Sequence, residues 1–255
     1  LEPSGRRVIA HRGDRVNAPE NTLIALTQAR DLGVDAIEFD VHLSRDSVPV
    51  VLHDPTLDRT TDASGPVRAR TAAELARVDA GARFTPDGGR TFPFRGRGIY
   101  VPTLEEALAA LPGLPIILEL KTVEVARPAL DVLTRLGALG RVLVGSFLDA
   151  ALIPFQQLGS PVSPGVRTLI GQYAGALLRV PPSRVAYQAL CIPRFYNGLP
   201  LPVEGFAAQM RHHGGPTHVW TVNDVAIATR LWRSGVTGII SDDPGLMLRT
   251  RAELK

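Results

Sequence analysis

The stretch Ala36-Ile-Glu-Phe-Asp-Val-His-Leu-Ser-Arg-Asp-Ser-Val-Pro-Val-Val-Leu-His53 contains two short apolar runs, 36–41 and 48–53, with six residues between them. A parallel crossover needs about a dozen residues or more, so the second run must fold back on the first as an antiparallel hairpin. The turn falls near Arg45-Asp46-Ser47 and sets His53 roughly opposite Phe39 or Asp40. With that run assigned to the hairpin, β-rich runs remain at 8–11, 36–41, 115–121, 141–146, 165–170, 185–191, 217–222 and 237–241. They are nearly continuously apolar, as in strands covered on both faces.

Helical patterns lie between these runs and carry their own punctuation. Thr103-Leu-Glu-Glu106 and Thr71-Ala-Ala-Glu74 are capping boxes. A first helix from about Asn21 ends at Gly33, a residue suited to a left-handed cap, and Asp243-Pro244 opens the last helix. Eight parallel strands in 255 residues predict an α/β fold, a closed (β/α)8 TIM barrel. An open doubly wound sheet is the weaker reading, because no Gly-x-Gly-x-x-Gly follows the first strand. Segment 54–102 exceeds a simple strand-to-helix loop and is expected to form a small capping insertion after the hairpin that follows strand 2. No other boundary or repeat appears, so 1–255 reads as one domain.

Composition narrows the function classes. The chain is 45% hydrophobic, which excludes a disordered chain, and one cysteine excludes an internal disulfide framework. No run of about 18 apolar residues is present, so no integral membrane segment is expected. The net charge is +3, with no basic run interleaved with aromatics, so no nucleic-acid partner is expected. The absence of a leader, a span and a disulfide pair favours the cytoplasm; a leader removed upstream of Leu1 would overturn that expectation. Of 28 basic residues only Lys121 and Lys255 are lysines. Where arginine is the default cation, an internal lysine marks a place suited to a compact point charge.

Residues at the C-terminal ends of barrel strands face the active site in this fold. His11-Arg12-Gly13 ends the first strand, Glu38 and Asp40 lie on the second, Glu119 and Lys121 on the third, and the hairpin returns His53 to the same end. Positions two apart on a strand share a face. Glu38, Asp40 and Glu119 would therefore place three carboxylates in a partly buried space, where they repel and lose hydration unless a cation compensates. A divalent ion is the simplest such cation. An all-oxygen ligand set suits Mg²⁺ or Ca²⁺, or alternatively Mn²⁺, rather than Zn²⁺. With Arg12 and Lys121 added, the sum leaves one positive charge, which suits a phosphodiester. Two histidines supply a base and an acid near neutral pH. Taken singly, these features have plainer explanations: a strand-end histidine is more often structural, and Glu119–Lys121 alone would read as a rim ion pair.

The sequence resembles the glycerophosphodiester phosphodiesterase family. The stretches that carry the resemblance are His11–Thr22, Glu38–Thr61, Leu118–Lys121, Gly145–Phe147, Trp220–Asn223 and Gly238–Pro244, in the family's order. The resemblance implies a (β/α)8 barrel with an insertion after the hairpin. It further implies Glu38, Asp40 and Glu119 as ligands of one divalent cation, His11 and His53 as the acid–base pair, and Arg12 and Lys121 as phosphate contacts. Trp220 falls where the family places an aromatic wall beside the glycerol, and Asn21 and Asn223 steady the site. Asp54 is read as capping the following turn in preference to supporting the site. His42 is assigned to the strand face opposite Glu38 and Asp40, off the site. His212, His213 and His218 are given surface or packing roles.

The implied substrate is a small glycerophosphodiester, hydrolysed to sn-glycerol 3-phosphate and an alcohol. Attack by the vicinal glycerol hydroxyl through a cyclic phosphate and direct attack by water both fit the sequence. The alcohol is expected near 54–102 and loops at 172–184 and 193–203, with Phe84, Phe92, Phe94, Phe195 and Tyr196 as candidate walls. Three other readings compete. One is a lysophospholipase D-type enzyme of the same fold, which needs an apolar rim; here 83–101 offers aromatics and four arginines. Another is a non-catalytic phosphate-ligand binder, and the most distant is a lyase-type barrel. The metal's identity and the oligomeric state are not legible.

Overall fold

The computed structural model describes residues 5–254. In chain order it contains β1 (Arg7–His11), α1 (Leu23–Asp31), β2 (Ala36–Leu43), β3 (Pro49–Val51), α2 (Ala72–Leu75), α3 (Leu104–Ala110), β4 (Ile116–Leu120), α4 (Ala126–Arg135), β5 (Val142–Gly145), α5 (Asp149–Gln157), α6 (Val166–Leu178), β6 (Leu190–Pro193), β7 (Phe195–Tyr196), β8 (Leu199–Pro200), α7 (Val203–His212), β9 (Thr217–Trp220), α8 (Val225–Arg233), β10 (Gly238–Ser241) and α9 (Pro244–Glu253). The parallel staves run β5-β4-β2-β1-β10-β9-β6. Val162 closes the ring, forming a parallel bridge to Val144 and accepting the Gln188 N–H at 3.1 Å. The result is a (β/α)8 barrel with an extra antiparallel strand, β3, on β2.

Strand alternation divides the side chains between two cores. Ile37, Phe39 and Val41 of β2 and Leu118 of β4 face outward and pack against the helices. Ile9, Ala36, Ile117, Leu143, Ala189 and Ile240 point inward and fill the barrel floor. Burying a side chain of this size contributes roughly 1.5–3 kcal/mol, so the strand parity is strongly fixed. The parity then forces the next inward positions, His11, Glu38, Glu119 and Asp242, to stand above the floor at the C-terminal end.

The local signals appear as expected. Both capping boxes are present, at Thr71 and Thr103, and Asp243 caps α9. Gly33 follows α1 at φ +78°. The hairpin pairs Val41 with Val51, which places His53 across from Phe39, and Ser47 takes the left-handed conformation in the turn. Segment 54–102 packs a small core of its own, with Leu57, Val67, Leu75, Val78 and Val101 against Val50 and Leu52 of the hairpin.

The fifth stave differs from expectation. Gly165–Ile170 is not a strand: Gly165 caps α6, and Val166, Leu169 and Tyr173 recur at helical spacing. The stave is the shorter segment 161–163, enclosed by Pro161 and Pro164. Proline lacks the N–H a ladder needs, so the pairing shrinks to a bridge. The sixth stave also starts later than expected, at Leu190 rather than Val185. Part of the loop expected at 172–184 is the second half of α6.

Candidate active site

Register assembles the acidic cluster. His11 stands beside Glu38 across β1–β2, and Asp40 stands beside Glu119 across β2–β4. Glu38, Asp40 and Glu119 each offer an oxygen, and the three lie within 4.8 Å of one another. Lys121 Nζ reaches Asp40 Oδ1 at 2.8 Å and Glu119 Oε1 at 2.7 Å. Arg12 Nε lies 3.1 Å from Asp40 Oδ2, and Asn21 Nδ2 donates to the same oxygen at 2.9 Å. Arg12 and Asn21 both hold φ near +58°. Such strain persists only where the surroundings fix it; here Arg12 N donates to Glu38 O and Asn21 N to Arg12 O. Gly13 between them has φ +86°, and a Cβ there would fall 2.5 Å from the Ala25 carbonyl carbon.

These carboxylates titrate apart. Burial would raise Asp40, but Lys121 and Arg12 outweigh it and hold Asp40 at about 2. Burial, and then Asp40 and Glu119, push Glu38 well above the usual carboxylate range. Burial and Asp40 raise Glu119 as well. Glu38 Oε2 is buried without a hydrogen-bond partner, and the nearest cationic candidate, His11 Nε2, is 3.9 Å away. An orphaned buried oxygen, two raised carboxyls and an all-oxygen donor set fit a hard divalent cation.

The two histidines have parallel supports. His11 Nδ1 donates to Asp242 Oδ1 at 2.6 Å, and His53 Nδ1 donates to Asp54 Oδ1 at 2.6 Å. With Nδ1 so engaged, each ring has Nε2 left for the cavity both residues line. Asn223 Nδ2 steadies Asp242 at 2.8 Å. Arg59 grips Asp54 at 2.7 Å and also reaches Glu20, which Arg12 and Arg15 contact at 2.9 Å. Burial would raise Glu20, but these arginines lower it to about 2. Burial and Lys121 lower His53 below its ordinary value, against Asp40 and Asp54.

Two assignments change. Asp54 does more than cap a turn, because it orients His53. His42 shares the alternation of Glu38 and Asp40, and its Nε2 donates to the His53 carbonyl at 3.0 Å, behind the site. Asp242 was missed by sequence reading; the signal was its register, since β1 pairs Ala10 with Ser241 and so sets His11 beside Asp242. The charge sum changes too. Six carboxylates (Glu20, Glu38, Asp40, Asp54, Glu119, Asp242) face four cations (Arg12, Arg15, Arg59, Lys121), so a divalent ion brings the mouth to neutrality.

The other side of the cavity, whose volume is about 190 Å³, is apolar. Val166, Leu169 and Tyr173 of α6 face Tyr196, Leu201 and Phe206, and Trp220 packs edge-on against Phe147 at 5.7 Å. Of the expected wall aromatics only Tyr196 lines this space. Phe84 and Phe94 pack on each other within the insertion, Phe92 lies under Arg95, and Phe195 is half exposed. His218 lies fully buried at the barrel floor, where desolvation lowers it to about 3, and His213 Nε2 donates to Pro182 O.

The profile of the Glycerophosphoryl diester phosphodiesterase family matches residues 11–246, and the chain belongs to that family. It is an enzyme of the phosphodiesterase class. A glycerophosphodiester phosphodiesterase of Caldanaerobacter subterraneus subsp. tengcongensis is 32% identical over 249 residues, covering 94% of this chain and 96% of that protein. The glycerophosphoryl diester phosphodiesterase domain of a Mycobacterium tuberculosis protein superposes with a TM-score of 0.85 at 26% identity, covering 97% of this chain and all of that one. An Oleispira antarctica phosphodiesterase, solved with the product sn-glycerol-3-phosphate, gives a TM-score of 0.76 at 27% identity, covering 97% of each chain. Among the described residues, no helix is long and apolar enough to cross a membrane.

Proposed function

We propose that this chain hydrolyses small glycerophosphodiesters to sn-glycerol 3-phosphate and an alcohol, with Glu38, Asp40 and Glu119 holding one divalent cation and His11 and His53 exchanging protons. The observation that carries this reading is the convergence of the three carboxylate oxygens within 4.8 Å in a cavity lined by both imidazoles. The activity of the Caldanaerobacter relative and the product bound in the Oleispira enzyme support it. When bound, Mg²⁺, Ca²⁺ or Mn²⁺ supplies Lewis-acid polarisation of a phosphoryl oxygen. One imidazole Nε2 takes the proton of the attacking hydroxyl, and the other, protonated, gives one to the leaving oxygen. Asp54 and Asp242 hold the two rings in the tautomer this requires, and each imidazole contributes roughly 10²–10⁴-fold. Arg12 and Lys121, already turned into the carboxylate cluster, are placed to bind the phosphate.

The test is incubation with glycerophosphocholine and each cation, with and without EDTA, assaying sn-glycerol 3-phosphate. Product is expected only with metal. Product insensitive to chelation removes the cation from the reading, and no product with any cation removes the substrate. The apolar wall at Val166, Leu169 and Tyr173 favours a second substrate class, lysophospholipids, for the same chemistry. Turnover of lysophosphatidylcholine in place of glycerophosphocholine would promote it.

A further inference from the structure

Between Asp149 and Glu204 the sequence contains no acidic residue, no lysine and no histidine, but four arginines. Nowhere else does the chain run so long without a carboxylate. Seven large apolar side chains are more than half exposed among the described residues, and all seven fall in this segment: Leu158 at the end of α5, and Ile170, Leu177, Leu178, Val180, Phe195 and Leu199 from α6 onward. On α6, Ile170, Leu177 and Leu178 stand at i, i+7 and i+8, one face of the helix. Phe195 and Leu199 lie on the β7–β8 hairpin.

A groove of about 350 Å³ joins the two elements, lined by Leu177 and Arg179 from the end of α6, Arg194 and Phe195 from the hairpin, and Arg230 from α8. Its one carboxylate, Glu204, lies 3.9 Å from Arg179. Leu201 lines both this groove and the apolar wall of the active-site cavity, so the exposed patch and the mouth are continuous.

We propose that α6 and the β7–β8 hairpin dock this enzyme on an anionic phospholipid surface, with the apolar side chains entering the headgroup boundary and Arg179, Arg194 and Arg230 meeting lipid phosphates. Apolar area rimmed by cations of one sign fits that surface and gives a soluble protein partner no charge to answer. A lipid bilayer also offers what the exposed leucines lack, an apolar phase beside negative charge. The inference concerns where the enzyme sits and stands apart from the chemistry proposed above, because docking is read without turnover.

The experiment is co-sedimentation of the full chain with vesicles of phosphatidylcholine alone and of phosphatidylcholine with about a third phosphatidylglycerol, at low and at high salt. The acidic vesicles are expected to bind at least tenfold more tightly than the neutral ones, and salt is expected to weaken that binding. Leu178→Asp and Phe195→Asp are each expected to reduce binding severalfold, with unfolding temperature and circular dichroism unchanged. Arg179→Glu is expected to remove the preference for acidic vesicles. No binding by the parent chain overturns the proposal, as does equal binding by all variants. A concentration-dependent dimer in ultracentrifugation that Leu178→Asp dissociates, with no vesicle binding, assigns the face to a second copy of the chain and overturns it equally.

Discussion

The two halves of the barrel mouth are built on opposite principles. The half made by the ends of β1, β2 and β4 and the loop at 53–59 is a lattice of ion pairs in which nearly every charge is gripped by another. The half made by α6, the β7–β8 hairpin and Trp220 has no ionised group lining the cavity and is shaped by packing alone. In the first half a single deletion strands a buried charge, which is far more disruptive than losing a contact. In the second, a truncated side chain removes contact area and neighbours can shift. On the function proposed above, the charged half would carry the chemistry and the apolar half the choice of substrate.

The largest effect should come from the cation. EDTA should abolish turnover, and Glu119→Gln should raise the metal concentration for half-maximal rate by at least about 100-fold, since losing even a supporting partner of a ligand costs 10–100-fold. A metal titration of the variant checks this. Next, His53→Ala and His11→Ala should each lower kcat by about 10²–10⁴-fold with KM little changed. Near-full activity in either variant would break the division of labour between the halves.

Asp54→Asn should act through His53 and lower the rate by about tenfold, a smaller loss than removing the imidazole. The Asp54 carboxylate raises the His53 pKa, so its loss lowers that pKa further, and the acidic limb of the kcat/KM profile should move to lower pH. A limb that stays in place would assign it to another group.

Thermal unfolding offers a measure independent of activity. Glu38 and Glu119 are raised in the folded state by burial and by their carboxylate neighbours, so holding both ionised costs stability that a bound cation relieves. A divalent cation at a hundredfold excess over its Kd should stabilise by about 2.7 kcal/mol, raising Tm by roughly 5–10 °C. The gain should be full at neutral pH and shrink as pH falls through the raised carboxyl range, where protons compete for the same oxygens. The smallest effect belongs to the apolar half: Tyr173→Ala should leave kcat/KM for glycerophosphocholine within about threefold, while changing it more for lysophosphatidylcholine. A large loss on the small substrate would move α6 into the chemical half.

The difference between the halves also explains how far the sequence could be read. The hairpin at 36–53, the capping boxes, the insertion and the meeting of Glu38, Asp40, Glu119, His11 and His53 at one end of the barrel were all legible, because a charge inside an apolar strand has few explanations and chain reach forbids the alternative pairing. His42 shows where such reading slips: its position follows from simple alternation, yet its contact, the His53 carbonyl, depends on how the hairpin closes.

The sequence by itself determined the number of staves, the end of the barrel that carries charge, and the chemistry that charge permits. Tertiary structure alone decided that Gly165–Ile170 enters a helix, that Asp54 and Asp242 each orient a histidine, and that side chains from four distant segments meet as one apolar wall. The physical reason is the nature of the two signals. A buried carboxylate or imidazole is conspicuous wherever it stands. An apolar side chain has the same local signature in a core, on a cavity wall or on an exposed face, and only the packing of the whole chain distinguishes among them.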